Sequence, residues 1–227
     1  MKSVDYNELE IMDSWMETIA ESNVGDLLID LSEVGLDNIV DNELVKEVPV
    51  IKTVVSVYKL GHTLRERSYV RKLAGFLNEI SKGTVDNDKK EEYLRRITKN
   101  KAIFQHELEY VLVLLDRFIS EDKSKLLGRL YVARINEQIN WIGFCQYSEV
   151  VDRLFIGDFE CLHRDIMENK NRNEFENSSL QRLQGLGLVK PCEKASGYDI
   201  NGNPLFFQQD GTYVFTTFGE NLYDILR

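Results

Sequence analysis

The stretch VPVIKTVVSVYKLGHTLRERSYVRKLAGFL (residues 48–77) decides the architecture. Its first half is rich in valine and isoleucine, which favour a pleated strand. The strict alternation of a half-buried strand is missing, and Leu73, Phe76, Leu77 and Ile80 resume a helical period further on. Pro49 suits the first turn of a helix, where its absent N–H has no intrahelical partner to lose. Val50, Ile51, Val54, Val55 and Tyr58 then share one side. The spacing therefore predicts helix throughout, bent or divided near Gly61.

The same stretch is basic, and it follows an acidic one. Residues 1–47 carry 13 acids against 2 bases, and residues 48–101 carry 13 bases against 6 acids, within a chain of net charge −10. Two expectations follow. The acidic leading segment folds back on the cationic helix and masks it, or the bases meet an anionic partner. The surface at stake is Lys52, Lys59, Arg65, Arg67, Arg71 and Lys72 with the apolar Val54, Val55 and Tyr58. A protein partner fits such a face. So does an anionic membrane surface, with the apolar side in the acyl boundary and the bases at the headgroups. Spanning does not fit, because the run 48–60 holds Lys52 and Lys59 and falls short of the roughly 20 apolar residues needed.

Outward from this stretch the helical period persists. Leu9, Met12, Trp15, Met16 and Ile19 form one face of a helix ending near Asn23, and Leu27, Leu28, Leu31, Val34 and Ile39 outline a second, weakened at Gly35. Further helices are expected over about 88–98, 102–120 and up to Ile135, the last capped by Ser120 or Asp122. Another, capped by Asn140, carries Trp141, Phe144, Tyr147, Val151 and Leu154. After about residue 170 the pattern changes. SSLQRLQGLGLV reads as a short helix from Ser178 or Ser179, and PLFFQQ and TYVFT read as the two strands of a hairpin. Asn201-Gly202 and Asp210-Gly211 offer turns, and Thr217 with Glu220 offers a capping box for a closing helix. The expected fold class is mainly α: a helical bundle over 1–170, made of acidic helices (1–47), a basic amphipathic segment (48–83) and their partners, then a small α+β winged-helix-like module over 171–227.

Chemistry is sparse. Cys145, Cys161 and Cys192 make no C-x-x-C pair and no disulfide framework, which fits a reducing cytoplasm, and the acidic start lacks the charge pattern of a secretory signal. His62, His106 and His163 stand in no double-ligand motif, so neither a metal nor any other cofactor is expected. No phosphate loop, nucleophile elbow or dinucleotide fingerprint occurs. One feature repeats: Asp116-Arg117 after VLVLL and Asp152-Arg153 after SEVV. Two such pairs can supply carboxylates for acid–base work, or simply cross-pair between helices. In the C-terminal module Arg182, Lys190 and Lys194 are outnumbered by acids, which disfavours nucleic acid.

The succession from LLIDLSEVGLDNIV through KLAGFLNEI, followed by EYVLVLLDRFISEDKSKLLGRLYVA, resembles a recurrent group of bacterial helical proteins. SLQRLQGLGLV with YVFTTFGENLYDIL is similar to the ending of that group and of abortive-infection-like proteins with a winged-helix tail. The resemblance spans roughly residues 25–227 by pattern rather than by a chemical motif. It implies a bacterial cytoplasmic protein with a part in phage defence, and it brings no active site. The functional expectation is a non-enzymatic interaction protein whose masked basic helix engages a protein partner or an anionic membrane, the latter placing it at the periphery of the inner membrane. A homo-oligomer is a further form of partner. The alternatives are a winged-helix DNA-binding regulator and a divergent enzyme built on the Asp-Arg pairs.

Overall fold

A computed structural model describes residues 6–20, 25, 27–28, 39–40, 42–83, 85–198 and 204–227. The fold is mainly α with a small α+β module near the C-terminus. It divides into two compact units, Met1–Ser148 and Glu149–Arg227. The second unit begins ahead of the boundary read at 170/171, because a 3-10 helix at Ile156–Cys161 and a short helix at Arg164–Glu168 pack with the elements that follow them. Most of the second predicted helix and the Asn201-Gly202 turn lie outside the described residues; Leu28 and Ile39 are described, and both are buried.

The first unit contains α1 (Tyr6–Ala20), α2 (Glu43–Glu47), α3 (Pro49–Tyr58), α4 (Leu64–Lys82), α5 (Asn87–Lys99), α6 (Lys101–Arg117) and α7 (Glu121–Ile135). The division between units runs through α8 (Trp141–Arg153). Side-chain caps set these bounds. Thr63 starts α4 in a capping box with Glu66, Asp86 accepts from the N–H groups of Asp88 and Lys89, and Ser120 accepts from Asp122. Asn140 accepts from Gly143 at 2.8 Å, as its position predicts.

Around these helices the core is aromatic. Trp15, Phe76, Tyr131 and Phe144 meet edge-on or tilted, with centroids 5.4 to 5.7 Å apart. The Tyr131 hydroxyl is bonded to that of Tyr93, and burial pushes both phenols above their ordinary pKa. Helices α4 and α7 approach closely at Gly128, where an added Cβ would stand 2.6 Å from the Phe76 carbonyl oxygen.

The second unit corrects four local expectations. Besides the 3-10 helix it holds α9 (Arg164–Glu168), α10 (Glu174–Gly185), β1 (Val189–Tyr198), β2 (Pro204–Phe215) and α11 (Thr217–Leu226). Helix α10 begins at Glu174, earlier than Ser178, because Asn173 and Glu176 form a complete capping box. PLFFQQ and TYVFT are not the two arms of a hairpin but one continuous strand, β2, whose antiparallel partner is VKPCEKASGY. The Asp210-Gly211 pair makes an irregularity within β2 rather than a turn: pairing shifts between Pro191 and Glu193, and Gly211 has φ +85°. The closing helix is capped by Thr216, not Thr217, through a 2.9 Å bond from the Gly219 N–H.

Candidate functional site

The divided helix builds the site. The apolar face of α3 is inside the bundle: Val50, Ile51 and Val54 are fully buried, and the Val50 N–H donates to Thr18 Oγ1 at 3.0 Å. Lys52 and Lys59 are exposed, Val55 is half-buried, and Tyr58 is 54% exposed. Lys59 ends the helix in the left-handed region (φ 51°), and Gly61 follows at φ +126°. The chain is then caught by Glu66. Its Oε2 accepts from the N–H groups of Gly61, His62 and Thr63 at 3.0, 2.8 and 3.1 Å. These bonds, led by that to Thr63, hold the carboxyl below its ordinary pKa. Arg67 adds a bond from Nε to the Gly61 carbonyl at 3.1 Å.

This bend opens a groove of about 470 Å³ between the end of α3, the first turns of α4 and the last turns of α6. Tyr58, Leu60, Leu112 and Val113 give it apolar walls. At one end Arg65 grips Asp116 at two points, Nη2–Oδ2 2.5 Å and Nε–Oδ1 3.3 Å. Arg117 also lines it. Beneath, Lys72 is only 4% exposed, and its Nζ donates to the carbonyls of Asp116 (3.1 Å) and Phe118 (2.7 Å), closing the C-terminus of α6. Burial pushes the Lys72 ammonium down from its usual pKa, with the Asp116 carboxylate opposing that shift.

Two residues offered to a partner by the sequence are thus withdrawn into the core. Val54 is packed, and Lys72 is committed to α6. Replacing Lys72 with methionine keeps the volume but strips donors from two helix-end carbonyls, one of them fully enclosed. We expect a loss of about 2 kcal/mol in urea unfolding followed by tryptophan fluorescence.

Between the acidic leading segment and the basic block the described residues make contacts of several kinds. Helices α1 and α3 meet through apolar side chains and the Thr18 bond. An ion pair between the acidic leading segment and the basic block is Asp13–Lys101 at 3.8 Å, and Lys90 donates to the Ala20 carbonyl at 3.2 Å. Arg65 and Lys72 use α6. Arg67 and Arg71 are half-buried.

Of the repeated Asp-Arg pairs, Asp116 meets Arg65, and Arg153 meets Glu149 one turn back on α8 at 3.4 Å. Arg117 is exposed and Asp152 half-buried. All three histidines are exposed, and the described residues contain no group of three or more His, Cys, Asp or Glu able to hold a metal.

In the second unit a buried carboxylate that the sequence did not single out holds Arg182. Asp158, 1% exposed, accepts from Ser179 Oγ at 2.7 Å and from Arg182 Nε and Nη2 at 2.7 and 2.5 Å. Lys194 pairs with Asp210 at 2.8 Å, which together with Thr212 holds the Asp210 carboxyl well below the carboxylate range. Arg172 binds the carbonyls of Met167 and Gly211 and lies over the Tyr213 ring. These cations are spent inside the unit.

Fold and groove together define a helical bundle with an amphipathic surface cleft, joined in sequence to a small α+β unit; among the described residues no helix is long and apolar enough to cross a membrane. No family model matches the chain, and neither a curated protein nor a solved structure matches it.

Proposed function

We propose that the chain is a non-enzymatic interaction protein whose first unit docks a segment of a protein partner in the α3–α4–α6 groove. The observation that carries this reading is the exposure of Tyr58 and Val113, 54% and 58%, on the walls of one cleft that also holds a charged pair at its end. A membrane role for the same stretch is less well supported, since Val50, Ile51 and Val54 would have to leave the core to reach lipid. A part in phage defence rests on the sequence resemblance alone, and plating phage on cells with and without the gene is its direct test.

A second reading is a winged-helix DNA regulator, because the C-terminal unit runs helix, helix, hairpin, helix. Its charge argues the other way. Arg182 and Lys194 are neutralised by Asp158 and Asp210, and counterion release needs cations that reach phosphates.

The docking reading is tested with a photo-crosslinking phenylalanine analogue at Tyr58 in living cells. A discrete protein adduct should form, should vanish when Val113→Asp is added, and should be absent when the analogue stands at the exposed Ile103 instead. No adduct at Tyr58, or one indifferent to Val113, refutes it.

A further inference from the structure

The groove is charged unevenly along α6, and that unevenness points to the chemistry of its occupant. Glu109 lies one turn before the apolar Leu112 and Val113, and Asp116 and Arg117 follow one turn after them. At the Glu109 end Gln105 bridges Glu8 and Glu109 at 2.8 and 3.1 Å. At the other end the acids are already engaged: Glu66 by three backbone N–H groups and Asp116 by Arg65. The cations there are Arg65, 76% exposed in its side chain, and Arg117, which also lines the groove, while the Lys72 ammonium is held on the Asp116 carbonyl. Within a chain of net charge −10, this end of the groove is locally cationic.

Resting on the docking reading above, we propose that the groove takes an acidic, apolar segment of a partner protein. Its aliphatic or aromatic side chain sits between Tyr58, Leu60 and Val113, and its carboxylate meets Arg65. Asp116 is then an internal competitor for the Arg65 guanidinium. Arg65 turns from Asp116 to the incoming carboxylate at small cost, since an exposed ion pair is weak. The Glu8–Glu109 end repels the same carboxylate and so fixes the direction in which the segment lies.

Opposite signs separate this from the converse arrangement, in which a basic segment displaces Arg65 to reach Asp116. A randomised peptide display library is selected on the full chain, with binders to the Val113→Asp chain discarded. Recovered peptides should pair an apolar anchor with Asp or Glu and weaken with salt. Asp116→Asn, which leaves the main-chain carbonyl for Lys72, should tighten them about threefold, the scale of an exposed ion pair. Arg65→Glu should abolish them and shift selection to basic peptides. Basic peptides from the unaltered chain, or weaker binding in Asp116→Asn, overturn the proposal. Peptides without charge preference, or none that depend on Val113, also overturn it but leave the docking reading standing if the Tyr58 adduct forms. Loss of the adduct as well brings down both.

Discussion

Glu107→Leu alone will destabilise the first unit by about 3 to 5 kcal/mol, and adding Arg134→Met will recover most of that loss. The Glu107 carboxylate and Arg134 guanidinium are 3.5 Å apart with both side chains only 9% exposed. Arg134 Nε is buried without a hydrogen-bond partner, so the pair is held in the core with incomplete compensation. Removing the carboxylate leaves an uncompensated buried cation, whereas removing both charges replaces an imperfect ion pair by packed apolar volume. The site is also coupled to the Tyr93–Tyr131 hydroxyl pair, since the field of Glu107 adds to the upward pKa shift of both phenols. The only tryptophans, Trp15 and Trp141, belong to this unit, so urea unfolding read by their fluorescence reports it. If the double variant is no more stable than Glu107→Leu, the pair is not the source of the cost.

Helices were legible where local signals were redundant. In the stretch 48–77 the period, Pro49 and Gly61 agreed, and the chain divides as they indicate, with Lys59 in the left-handed conformation just before the glycine. The strands were not, because Asp210-Gly211 carries the same turn chemistry whether it closes a hairpin or kinks one strand. Which occurs depends on pairing with VKPCEKASGY, a non-local choice without local mark. The start of α10 was written in the sequence as Asn173 and Glu176. It is hard to read there because the apolar period becomes visible only at Leu180 and Leu183.

The groove shows the same limit. Tyr58 and Arg65 stand out in the sequence as part of the basic amphipathic face, and Asp116 and Arg117 as an Asp-Arg pair, with nothing in the sequence to join the two. What joins Arg65 to Asp116 is the packing of α4 beside α6 across a separation of 51 residues. Lys72, a lysine in a basic run, reads as a surface residue. Its burial follows from the position of the last carbonyls of α6, which no periodicity reports. Asp158 carried no signal either: an aspartate after Gly157 reads as a turn residue until Ser179 and Arg182 converge on it.

Gly219→Ala will undo the packing of α11 against the start of the hairpin, at a cost of about 3 kcal/mol, the upper end of ordinary overpacking. At a solvent-facing helical position the same change would stabilise by about 1 kcal/mol, so the sign of the effect is itself the test. Here the added Cβ would stand 1.9 Å from the Leu188 carbonyl oxygen and 2.7 Å from its Cα, both main-chain atoms. That carbonyl is not free to move, since it accepts the Thr216 N–H at 3.0 Å. Thr216 in turn caps α11 through Gly219 and donates its hydroxyl to the Gly187 carbonyl at 2.6 Å. Relief of the contact must therefore pull the cap away from the Gly187–Leu188 turn and expose Leu222 and Leu226, both buried. Amide hydrogen exchange should lose protection in α11 and at Thr216 while α4 and α7 keep theirs. Unchanged protection in α11 would mean that the close approach at Leu188 does not hold the helix in place.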